Sequence, residues 1–151
     1  MRGRRLDLPD GRWVEIKTEL TLADLRKARA FIQAATPEHF KALRTHIAKE
    51  SAAVQRGDVA GRTELLGDFH VCMAQLLGND VLADLLNDLI SRCALITLMY
   101  QSSAAATHSH EEHSAIVDAL QARDEALALR LMDEHLHHVE AALTLTPSTT
   151  P

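Results

Sequence analysis

Aromatic side chains are scarce: one Trp, one Tyr and three Phe make up 3% of the 151 residues. The core must therefore be filled by Leu, Ala, Val, Ile and Met, a palette that favours packed helices over a β-sandwich or barrel. Cysteine is nearly absent. Cys72 and Cys93 both lie in apolar helical patterns, which fits reduced core thiols and not an exported disulfide scaffold. No apolar run reaches the roughly 18 residues of a membrane span. The opening Met1-Arg2-Gly3-Arg4-Arg5 leads into no signal-peptide hydrophobic stretch. A cytoplasmic chain with no membrane partner is expected. Basic charge is also in short supply, since the formal net charge is −5, and this argues against a body that binds nucleic acid through a broad basic face. G-x-G-x-x-G, P-loop and G-x-S-x-G motifs are missing. What is plentiful is hydrophobic side chain, at 46%, and histidine, with nine copies.

Residues 1–20 read as a leader. Leu6 and Leu8, the turn Pro9-Asp10-Gly11, then Trp13, Val14 and Ile16 suggest a short strand-like hairpin. From residue 21 to about 145 the apolar spacing is helical. Thr21 is the expected cap of a first helix carrying Leu22, Leu25, Ala28 and Phe31. Thr36 with Pro37 opens a second, striped by Phe40, Leu43, Ile47 and Val54 and stopped by Gly57. Asp58 caps a third, with Leu65, Leu66, Phe69, Cys72, Met73 and Leu76, ending at Gly78. Asn79 caps a fourth that runs to Tyr100 and is apolar over more than one face, so it is central or shared with a partner subunit. Gln101 to Thr107 reads as a loop or an extended helix end. Ser109 and Glu112 form a capping box for a fifth helix. Arg123-Asp124 breaks the chain before a sixth, with Leu127, Leu131, Met132, His135, Leu136 and Leu143 on its inner side. Residues 146–151 are a polar tail expected to be disordered. The fold class is all-α, an antiparallel bundle of about six helices.

Three histidines fall beside core positions on three different helices: His70 after Phe69, His113 three residues before Ile116, and His135 between Met132 and Leu136. Neutral imidazole is the commonest protein ligand for a divalent transition metal, and three inward rings can converge on one ion. The alternative is that each is a half-buried side chain satisfied by a hydrogen bond. His39, His46, His108, His110, His137 and His138 read as solvated. Only one E-x-x-H, from Glu134 to His137, is present, where a di-iron bundle needs two. Arg92 sits inside the most apolar helix between Ile90 and Cys93. Either it pairs with an acid such as Asp88 at the helix edge, or it binds the carboxylate of a small acid bidentately.

The order of several phrases then points to a family. Arg56-Gly57-Asp58, Asp68-Phe69-His70, Leu77-Gly78-Asn79 with Leu82, Glu112-His113 with Ile116, and Met132 with His135-Leu136 resemble the C-terminal ligand-binding (FCD-type) domain of GntR-type bacterial transcription regulators, of the fatty-acid-regulator-like subfamily. The resemblance runs from about Asp24 to Leu143. It implies a helical domain that dimerises and binds a small metabolite, usually a carboxylate, beside a divalent metal held by one aspartate and three histidines. Carried onto this chain, the histidines are His70, His113 and His135. The aspartate position, one turn before the first of them, holds Leu66. The winged-helix DNA-binding domain of the family does not fit in the leader, so no direct DNA binding by this chain alone is expected.

The expected function is thus a metabolite-sensing and dimerising domain of a transcription regulator, not an enzyme, with a small organic acid as effector. Zn²⁺ or Ni²⁺ is the expected ion, because a set of neutral nitrogen donors disfavours Mg²⁺ and Ca²⁺. A metal-dependent hydrolase using the same three histidines and a purely structural bundle are the alternatives.

Overall fold

Caps set the helices, and their order sets the bundle. In the computed structural model, which describes residues 4–7, 13–16 and 18–142 and gives side-chain surroundings from residue 26, the helices are α1 (Thr18–Ala34), α2 (Pro37–Arg56), α3 (Val59–Leu76), α4 (Asp80–Tyr100), α5 (Ser103–Gln121) and α6 (Glu125–Ala142). Before them, β1 (Arg4–Asp7) pairs antiparallel with β2 (Trp13–Ile16), Leu6 facing Val14 in the register. The turn Pro9-Asp10-Gly11, Leu143 and the tail 146–151 lie outside the described residues.

Thr36 caps α2 by accepting from the His39 amide, while His39 Nδ1 accepts from the Thr36 amide, a box closed with Pro37 in the first turn. Asp58 Oδ1 accepts from Gly61 N at 2.9 Å and Asn79 Oδ1 from Leu82 N at 3.0 Å, opening α3 and α4. Gly57 and Gly78 take φ of 67° and 71°, the left-handed conformation that ends a helix without steric cost to glycine. Arg123 holds the last reversal. With φ of 56°, it donates to the carbonyls of Ile32 at 2.5 Å and Ala35 at 3.2 Å, tying the α5–α6 turn to the orphan carbonyls at the end of α1.

Three sequence expectations need correction. The first helix starts at Thr18, not after a cap at Thr21. The fifth starts at Ser103, because Ser102 Oγ accepts from Ala105 N at 3.1 Å and the alanines that follow are strong helix formers. Ser109, the expected cap, is a buried mid-helix residue, and only Gln101 and Ser102 separate α4 from α5. Finally, of the two places expected for α4, central or shared with a partner subunit, the first is excluded. The helix packs mainly on α3 through Ala83, Leu86 and the partly buried Leu82 and Ile90, while Val81, Leu85, Leu95 and Met99 stay exposed. Gly67 permits that packing, since a Cβ there would lie 2.6 Å from Ile90 Cγ2.

The core proper lies among α1, α2, α3, α5 and α6. Phe31, Leu43, Phe69, Met73, Ile116, Leu120 and Met132 are wholly buried, as the periodicity requires. Among the buried polar residues, Glu50, His70, His113 and His135 lie together in this body. Buried polar groups persist only when they satisfy one another, so these four define where the fold concentrates chemistry.

Candidate metal centre

His70 comes from α3, His113 from α5 and His135 from α6. Each offers one ring nitrogen to a group in which all ligand atoms lie within 4.8 Å of one another. The Nε2 atoms of His113 and His135 are 3.0 Å apart. Three nitrogens bound to one zinc at about 2.1 Å lie roughly 3.4 Å from each other in a tetrahedron. A shared ion is within geometric reach of the group. Packing fixes the rings: Phe69 stacks on His113 with centroids 4.0 Å apart and planes 14° from parallel, and His70 stacks on His135 at 5.4 Å. Lys27 Nζ donates to the His70 carbonyl at 3.1 Å, pinning α1 to α3 beside the group.

The outer nitrogens of two rings are held by carboxylates. His113 Nδ1 meets Glu50 Oε1 at 3.0 Å, and His135 Nδ1 meets Glu112 Oε2 at 2.7 Å. Burial alone would push the Glu50 carboxyl up. The charge and hydrogen bond of His113, with further bonds from His46 and His110, outweigh that and bring it down to about 2. Glu112 behaves alike: burial works against ionisation, and His135 and His138 reverse it, bringing the carboxyl to about 2. Both are ionised near neutral pH and can only accept. The two Nδ1 atoms must then carry the protons. Burial lowers the basicity of His113, and the Glu50 carboxylate works against that. With each Nδ1 turned to a carboxylate, the two rings meet through their Nε2 atoms at hydrogen-bond distance, an arrangement that one shared proton or one cation can hold. Three converging imidazole nitrogens fit a divalent metal, and the carboxylates behind His113 and His135 are the support that metal-binding histidines use.

Glu50 was not singled out from the sequence, although a signal was there. It continues the apolar stripe of Leu43, Ile47 and Val54 on α2, and a carboxylate on a buried stripe needs partners. His46 and His110, expected to be solvated, are those partners together with His113. His46 Nε2 lies 3.4 Å from Glu50 Oε1, and His110 Nδ1 lies 3.3 Å from Oε2. Leu66 is buried one turn before His70, so the position where the resemblance implies an aspartate is apolar. Arg92 is not brought to the histidines. Its side chain is 74% exposed and its Nε donates to Asp88 Oδ2 at 3.0 Å, the first of the two arrangements its sequence position allowed. A cleft of about 360 Å³ opens elsewhere, between α2, α3 and α4, and is lined by His46, Asp68, Cys72 and Asp84.

The two carboxylates dictate an acid profile. Each ionises at about 2 in the folded chain against an ordinary value of 4.5, so as the pH falls the unfolded chain takes up protons first. Their stabilisation is complete above the ordinary value and is lost between 4.5 and 2. Urea unfolding of the metal-free protein across that range should show stability falling steeply. A flat profile there would contradict the assigned hydrogen bonds.

Residues 25–138 match the FCD domain family. Among solved structures, McbR/YncC of E. coli is similar with a TM-score of 0.73 and 14% identity, over 92% of this chain and 76% of that one. GntR of Streptococcus agalactiae is similar with a TM-score of 0.66 and 18% identity, over 93% and 76%. At such identities the likeness is one of fold. No curated protein matches the chain.

Proposed function

The chain belongs to the FCD domain family, and from that membership we propose that it is the metabolite-sensing and dimerising domain of a GntR-type transcription regulator, with a divalent transition metal held by His70, His113 and His135. The observation that carries the metal is the convergence of three buried imidazole nitrogens from three helices within 4.8 Å of one another, two of the rings backed by carboxylates. When bound, the ion supplies a Lewis-acidic position for an oxygen of a small carboxylate. With Leu66 in place of an anionic ligand, the protein donors are all neutral, so Zn²⁺ or Ni²⁺ is favoured over Mg²⁺, and the net positive charge left on the ion strengthens its attraction for an anionic effector. A hydrolytic role is disfavoured because both nearby carboxylates, Glu50 and Glu112, are engaged by imidazole N–H groups and neither is placed as a general base.

Dimerisation rests on α4. Its exposed face carries a stripe of Val81, Leu85, Asp88, Arg92, Leu95 and Met99, spaced four and three apart, with Leu98 exposed beside it. The stripe reads the same in both directions: apolar, apolar, charge, opposite charge, apolar, apolar. A second α4 laid antiparallel about a twofold axis near Ile90 pairs Val81 with Met99, Leu85 with Leu95 and Asp88 with Arg92, which is what an isologous interface needs. Asp88→Arg should turn a dimer into a monomer in sedimentation, and the exchange Asp88→Arg/Arg92→Asp should restore it. A dimer indifferent to both would place the interface elsewhere.

The function is tested by melting the chelator-treated protein with Zn²⁺ or Ni²⁺ and a panel of small mono- and dicarboxylates. A ligand that binds only the folded state raises the melting temperature by mass action. The metal should raise it alone, and one class of acid should raise it further only when metal is present. Absence of any metal effect would sink the sensing centre.

A further inference from the structure

Glu112 faces two ways. Its Oε2 accepts from His135 on the inner side, while its Oε1 meets His138 Nδ1 and lies 3.2 Å from His108 Nε2 on the outer side. His108 and Glu112 are one turn apart on α5, and His138 stands on α6 one turn beyond His135. The ligand atoms of His108, Glu112 and His138 all fall within 4.8 Å of one another, and the two imidazole centroids are 5.1 Å apart. Both histidines are about half exposed while Glu112 is only 14% exposed.

We propose that His108, Glu112 and His138 form a second, solvent-facing site for a divalent transition metal, joined to the buried histidine group through the shared Glu112 carboxylate. Two imidazoles and a carboxylate are the donor set that zinc takes when a coordination position is left to water, and carboxylate and imidazole in that ratio disfavour Mg²⁺, which wants oxygen. Surface carboxylates and histidines usually point apart to gain water and rotamer freedom. Here burial and the bond to His135 fix Glu112, so only His108 and His138 need to be ordered when an ion binds. A metal at this place clips α5 to α6. It also draws charge from the carboxylate that supports His135, so Glu112 serves as ligand in one site and as support in the other.

The experiment is a titration of chelator-treated protein with Zn²⁺ against a chromophoric competitor, with circular dichroism as a check that each variant is folded. Wild type should bind in two phases, one tight and one weaker. His108→Ala/His138→Ala should lose the weaker phase and keep the tight one. His113→Ala should do the reverse, and Glu112→Gln should weaken both. If His108→Ala/His138→Ala leaves the number of bound ions unchanged, the outer site is wrong. If His113→Ala changes nothing while the outer pair still removes one ion, the buried site fails and the outer one stands, so the two claims are separable.

Discussion

Glu50→Leu should cost the metal-free protein about 3 kcal/mol and lower its melting temperature by about 10 °C. The side chain is wholly buried and accepts from His110 and His113, so its removal strips two imidazoles of an acceptor, while His46 keeps the Leu65 carbonyl at 2.8 Å. A buried donor left without a partner costs about 1–3 kcal/mol, discounted here because His110 reaches some water. For a chain of this size each kcal/mol moves the midpoint by roughly 2–4 °C. Glu111→Leu, one residue before Glu112 but exposed, is the control and should change stability by no more than about 0.5 kcal/mol. The same substitution should weaken metal binding by about 10–100-fold, since the His113 proton is then free to move to Nε2 and block the donor. A Glu50→Leu protein that melts with wild type would show that the carboxylate is not the hub of the site.

The second large effect is expected at the ligands themselves. Metal at about 1,000 times its dissociation constant stabilises a folded protein by about 4 kcal/mol, which here again amounts to some 10 °C. In the His108→Ala/His138→Ala background, where a single site is read, His113→Ala should cut this gain to about 1.4 kcal/mol or less, whatever it does to the metal-free midpoint. Loss of a ligand exceeds the loss of a supporting carboxylate, so the affinity should drop by more than about 100-fold. Leu66→Asp should act in the opposite direction. The new carboxylate stands one turn from His70 on the same buried face, which lowers the stability of the metal-free form and widens the gap between metal-free and metal-bound melting. Equal gaps in Leu66→Asp and the parent would mean that position 66 does not reach the ion.

Local rules fix most of the helical frame. Thr36-Pro37, Asp58 and Asn79 cap where their chemistry demands, because an N-cap is decided by two or three neighbouring residues. The buried stripes of Phe40, Leu43 and Ile47 and of Ile116 and Leu120 follow from spacing alone, since a helix repeats every 3.6 residues wherever it lies. The inward placement of His70, His113 and His135 is legible for the same reason, each being flanked by core residues. Where α5 begins is less so: both Ser102 and Ser109 carry cap-competent side chains, and the alanines between them are neutral until packing selects the longer helix.

What only the tertiary structure decides is which faces meet. Glu50 lies more than sixty residues from His113, and nothing along the chain says that a carboxylate on α2 closes on an imidazole of α5. His110 looks solvated in one dimension and becomes its partner once α2 packs against α5, whereas His46, one turn before Glu50 on α2, is held by the Leu65 carbonyl of α3. Periodicity likewise marks α4 as apolar on more than one face but is silent on whether the surplus face turns to the core or to solvent. The bundle answers by covering one face with α3 and leaving the stripe of Val81, Leu85, Leu95 and Met99, with Asp88 and Arg92 between them, outside. A periodic pattern fixes the angle of each residue about its own helix axis, whereas contacts between helices depend on crossing geometry that no single helix encodes.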